Sequence, residues 1–135
     1  MDVMMSLQGM GNFLLYFGAA LLAEAIFLLA YMAMTSHREA ELIAKGNTAA
    51  AISLAGAMLG FTLPLASVVI HAVSLIDMAI WSAIALVMQI AVFLLVDRLL
   101  SGISRRIEEG NVAAATVLAG ASLTIGIVNA ASMSY

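Results

Sequence analysis

Four long apolar stretches, at roughly Asn12–Met34, Thr48–Ser74, Met78–Val96 and Val112–Ser134, take up most of this chain. Each is near the ~20 residues a helix needs to cross the ~30 Å hydrocarbon layer of a bilayer. In lipid, backbone N–H and C=O groups must be satisfied inside the protein, which leaves helices or closed barrels. A barrel would read as segments of about ten residues with alternating polarity, and these stretches do not alternate. The expected fold is all-α: an integral membrane four-helix bundle with almost nothing outside the lipid.

Composition excludes the alternatives. Of 135 residues, 64% are hydrophobic and 10% charged, against about 25% charged in soluble domains. A short chain has too much surface for its volume to hide so many apolar side chains from water. Five Lys+Arg against eight Asp+Glu, net −3, leave no basic face for nucleic acid. With no cysteine there is no disulfide, thiolate metal site or cysteine nucleophile. The first stretch follows Asp2 with no Lys or Arg and is longer than a signal-peptide core, so it reads as a helix of the mature protein.

The basic residues set an expected orientation. Arg38 and Lys45 fall between spans one and two, and Arg98, Arg105 and Arg106 between spans three and four. Asp2, His71, Asp77 and Tyr135 lie on the other side. Basic loops stay cytoplasmic, so the charged linkers 35–47 and 97–111 are expected inside and both termini outside. The linkers read as solvated helical extensions, with i, i+4 pairs at Glu41/Lys45 and Arg105/Glu109.

The chain also repeats itself. Residues 46–57 read GNTAAAISLAGA and residues 110–121 read GNVAAATVLAGA. Each half is an apolar helix, a charged linker, Gly-Asn, then a helix rich in small residues. This gives two parallel tandem two-helix repeats, 1–74 and 75–135, without the inverted symmetry of many transporters. Asn47 and Asn111 are expected to cap spans two and four; as helix N-termini they also allow an anion-binding reading, with the structural cap preferred.

On span two, Ala49, Ser53, Gly56, Gly60, Ser67, His71 and Ser74 recur at helical spacing as one small-to-polar stripe. Gly56 and Gly60 permit close backbone approach, and Pro64 deprives the Gly60 carbonyl of its i+4 donor. The stripe reads as a helix–helix seam, or else as a wet groove around that carbonyl. Span four, with Gly120 among many small residues, is expected to pack inside the bundle or an oligomer. Asn129 near its end should hydrogen-bond across helices. Trp81, Tyr135 and Tyr31 are expected at the interfaces.

Glu24 lies near the middle of span one. An intramembrane acid must be protonated, paired or wet, so it is either a titrating site or a structural partner of Gln89 on span three. His71 and Asp77 fall short of a zinc site. No catalytic motif is present, so the chain is expected to be no enzyme and to need neither metal nor cofactor.

The stretches GNTAAAISLAGAMLGFTLPLAS, IALVMQIAVFLL and GNVAAATVLAGASLTIGIVNAASM resemble the YjfL-like bacterial inner-membrane proteins, the uncharacterised domain of unknown function 350, over nearly the whole chain. The Asn47–Ser67 stretch is the most specific part, followed by Asn129-Ala130-Ala131. The resemblance implies a four-span inner-membrane protein of two tandem copies, linked to envelope-stress systems with phage-shock-type cytoplasmic partners. The expected function is a non-enzymatic, homo-oligomeric membrane component. The alternative is a small ion channel or proton-coupled transporter using Glu24, with Gln89, Ser67, His71 and Asn129 along its path.

Overall fold

A computed structural model describes residues 2–35 and 38–133. Tyr135 and the expected end of the last span at Ser134 lie outside the described residues. Six helices follow in order: α1 (Val3–Met34), α2 (Glu39–Ala44), α3 (Thr48–His71), α4 (Leu75–Leu99), α5 (Ile103–Glu108) and α6 (Val112–Ser132). Helices α1, α3, α4 and α6 are long and apolar enough to cross a membrane.

Several boundaries differ from expectation. Helix α1 begins at Val3 rather than Asn12, because the Asp2 side chain accepts from the Met4 N–H and caps the orphan turn. Gly9 and Gly11, at roughly 1 kcal/mol each relative to alanine, do not interrupt so long an apolar run. At the opposite end Ser74 is not the tail of α3 but the cap of α4, its hydroxyl accepting from the Asp77 N–H at 3.1 Å.

The linkers are short separate helices rather than solvated extensions. Glu39 on α2 is almost fully buried and accepts from the Thr35 hydroxyl at 2.5 Å; α5 buries Ile103, Ser104 and Ile107. Their solvated sides carry the ion pairs Arg38–Glu41 and Arg105–Glu109. Both end alike. Gly46 and Gly110 take left-handed φ of 85° and 81°, and the N–H groups of Asn47 and Asn111 return to the carbonyls of Leu42 and Arg106, each at 2.8 Å. That is a Schellman closure, which leaves the following Asn free to start a new helix.

Helices α3 and α6 form the tightest pair, α4 packs against both, and α1 leans on α3 and α4. Lipid tails are as apolar as leucine, so close packing rather than water exclusion holds such a bundle together. At α1 the contact is aromatic: Phe27 stacks on Phe61 with centroids 4.5 Å apart, and Tyr31 meets Phe93 edge-on at 5.6 Å. Tyr31 is therefore core and not an interfacial anchor, while Trp81 is half-buried against the same core. Beyond these rings α1 stands off α4, leaving an apolar cleft of about 280 Å³ lined by Ala19, Ala23, Ser82 and Leu86 among others.

The register of α1 on α3 has a consequence for its length. Glu24 lies level with Thr62, and α3 ends nine residues later, at His71. The antiparallel α1 is level with that end at about residue 15. The remaining turns, back to Val3, run ~18 Å further at 1.5 Å per residue. Residues 3–15 are exposed throughout, including Leu7, Met10, Phe13 and Leu14.

Candidate functional site

One buried polar junction ties the bundle centre together, at Gln89. Pro64 has no N–H, so the Gly60 carbonyl lacks its ordinary helical donor. Gln89 on α4 supplies it: one amide hydrogen goes to the Gly60 oxygen at 2.8 Å and the other to the Ser122 oxygen on α6 at 3.2 Å. Three helices are thus tied through one buried side chain. The glycines make the approach feasible. A Cβ on Gly56 would fall on Ala119, and one on Gly126 would run into the Gly60 carbonyl. The small stripe of α3 is a seam here, and its freed carbonyl is occupied by protein rather than water.

Glu24 and Gln89 do not pair. Both Gln89 hydrogens are committed to carbonyls inside the seam, while Glu24 faces the crevice between α1 and α3, where its Oε2 lies 3.0 Å from the Thr62 hydroxyl. Depth along the sequence matched the two residues, but the rotation of α1 about its axis decided otherwise. Thr62 went unnoticed in the sequence because it belongs to no stripe; it lies two residues before Pro64, away from the buried face.

At the α3–α4 turn the Ser67 hydroxyl donates to the Ala130 carbonyl of α6 at 3.0 Å. The expected crossing bond is therefore made by Ser67 and not by Asn129, whose Nδ2 is buried without a partner among the described residues. The His71 Nδ1 lies 2.8 Å from the Ser67 carbonyl, and Asp77 accepts from the Val73 N–H at 3.1 Å. Glu24 meets Thr62, Gln89 the carbonyls of Gly60 and Ser122, Ser67 that of Ala130, and His71 that of Ser67.

At the linker end Asn47 and Asn111 accept from the N–H groups of Ala50 and Ala114 at 3.0 and 3.1 Å. Asn47 does more: its amide donates to the carbonyls of Ile107 and Glu108 at 3.0 and 3.2 Å, fastening the end of α5 to the start of α3. Gly120 differs from the other packing glycines. It faces outward and a Cβ there meets nothing within 4 Å, because α6 turns Leu118, Ala119 and Ser122 inward instead.

One pattern was missed in the sequence. Leu7, Leu14, Leu21 and Leu28 on α1 are spaced by seven, with Met4, Gly11, Gly18, Ala25 and Met32 at the alternate heptad position. The face of α1 turned to the bundle carries Ala20, Ala23, Phe27 and Tyr31; the heptad lies largely on the opposite side. Leu7, Leu14 and Leu21 are each more than half exposed, and nothing lies within 4 Å of a Cβ at Gly11 or Gly18. The repeat of three to four was hidden because α1 is apolar all round.

Residues 4–133 match the model of the family described as Domain of Unknown Function (DUF350). Two relatives, each called UPF0719 inner membrane protein YjfL, come from Escherichia coli strain K12 and from Escherichia coli O157:H7. Each is 40% identical over 120 residues, covering 89% of this chain and 91% of the relative. No solved structure matches. With four membrane-length helices, that family match over nearly the whole chain and relatives aligned over about nine-tenths of both sequences, the chain belongs to the DUF350 family of YjfL-like multi-pass inner-membrane proteins.

Proposed function

We propose that the protein works as a homo-oligomeric, non-enzymatic component of the inner membrane, joined through α1. The observation that carries this reading is the leucine and small-residue heptad on the face of α1 turned away from its own bundle. Leucine every seven residues with glycine or alanine between allows a second α1 to approach closely and interlock. The overhang of residues 3–15 leaves that face free of the chain's own helices over its outer turns. A second copy offers an identical face.

In this reading residues 1–74 and 75–135 are two copies of one two-span unit, supported by the matching Gly-Asn caps. The charged linkers 35–47 and 97–111 face the cytoplasm and both termini lie outside it, supported by the basic residues of the linkers. A link to envelope stress through a phage-shock-type partner rests on family resemblance alone; the linker helices are where such a partner would meet the chain.

The test is the mass of the protein in lipid nanodiscs and mild detergent across a dilution series. A discrete multiple of the 14.1 kDa chain that falls apart in Leu14→Ala/Leu21→Ala is expected. A monomer at every concentration would overturn the reading.

A further inference from the structure

Glu24 is the one acid within the packed, membrane-spanning part of α1, and its two oxygens are placed differently. Oε1 is sealed off and has no hydrogen-bond partner among the described residues. Oε2 lies 3.0 Å from Thr62 Oγ1, and that hydroxyl also lies 2.8 Å from the carbonyl of Met58, one turn earlier on α3. A hydroxyl has one proton, and a carbonyl can only accept. When Thr62 gives its proton to Met58, the contact with Glu24 is satisfied by a proton from the carboxyl.

We propose that Glu24 is an intramembrane proton-binding site, a neutral carboxylic acid whose Oε2–H donates to Thr62, which donates in turn to the Met58 carbonyl. In this chain of bonds every proton has an acceptor, and Oε1 is an uncharged carbonyl oxygen. A carboxylate in its place would hold a full charge in the apolar layer with one shared hydroxyl as its entire hydrogen-bond support, an arrangement that costs several kcal/mol. Among the described residues, no cation stands in the middle turns of α3 or α4 to offset this. The titratable groups of α3 and α4, the helices packed against α1, are His71, Asp77, Asp97 and Arg98, all in end turns. On α1 itself the nearest are Tyr31 and Tyr16, two turns away on either side. The ligand of this site is a proton, and the inference stands whether or not α1 joins two copies.

The full chain in liposomes is treated with dicyclohexylcarbodiimide, which reacts with protonated carboxyls in apolar surroundings. The acid proton moves to a carbodiimide nitrogen as the Glu24 oxygen bonds to the central carbon; nothing leaves, so the peptide gains one reagent mass. Label is expected on the Glu24 peptide, falling as pH rises and lost in Glu24→Gln. A water-soluble carbodiimide should instead label exposed acids such as Glu41 and Glu109. Infrared spectra supply a second readout that does not depend on the Glu24 variant folding. A protonated-carboxyl band at neutral pH should shift in Thr62→Val and return in Thr62→Ser. An unlabelled Glu24 at every pH, or no protonated-carboxyl band in the wild type, would overturn the proposal.

Discussion

The Gln89 side-chain amide takes the place of a backbone N–H: it donates to the Gly60 carbonyl at 2.8 Å, the oxygen that Pro64 leaves without a helical donor. Proline and glutamine sit on different helices, 25 residues apart in sequence, and each makes sense only with the other. The first expected outcome follows. Gln89→Leu should lower stability by about 1–3 kcal/mol, the cost of a buried acceptor left unmade. In a Pro64→Ala background the restored N–H can reach Gly60, so the same change should cost less. Thermal unfolding in detergent across this double-mutant cycle measures the difference, and strict additivity would show that the two residues are uncoupled.

The glycines of α3 and α6 should divide sharply. Gly56→Ala and Gly126→Ala place a methyl into Ala119 and into the Gly60 carbonyl, and overpacking of this kind costs ~1–3 kcal/mol. Gly120→Ala enters open space and should be neutral or stabilising, by up to about 1 kcal/mol, because glycine is the poorer helix former. Melting temperatures of the three variants check this; equal effects would place Gly120 in the seam as well.

The two capping asparagines should not be equivalent. Asn111→Ala loses a cap, worth about 0.5–2 kcal/mol. Asn47→Ala loses a cap and both bonds to the end of α5, so it should cost about 1 kcal/mol more and raise hydrogen exchange in α5. Similar losses for the two would mean that the α5 fastening contributes little.

Membrane orientation is read with the same tools, because the chain has no cysteine of its own. In spheroplasts, Val73→Cys in the exposed α3–α4 turn should react with an impermeant maleimide, and Lys45→Cys in the first linker only after the membrane is opened. The reverse pattern would invert the proposed topology.

How far the sequence reached can be argued from particular residues. Four spans were legible because the length and polarity of each run leave lipid-embedded helices as the one option. The caps at Asn47 and Asn111 were legible because Gly-Asn chemistry is local. The partners of Glu24 and Gln89 were not, since which face α1 and α4 turn to α3 depends on close packing at Gly56, Gly60 and Gly126, a relation among distant segments. The outward direction of Gly120 was not legible for the same reason: smallness allows packing, in the bundle or an oligomer, but does not say which side of α6 meets α3. The start of α1 was missed because Gly9, Gly11 and Asn12 suggest a break that one capping carboxylate at Asp2 overrides.

The most direct test of the account is disulfide cross-linking of single-cysteine chains in native membranes. Leu14→Cys sits on the outward heptad of α1, and Val87→Cys on the exposed face of α4. Oxidation is predicted to give a covalent dimer at Leu14→Cys and monomer at Val87→Cys. No dimer at Leu14→Cys, or equal dimer at both positions, would contradict assembly through α1.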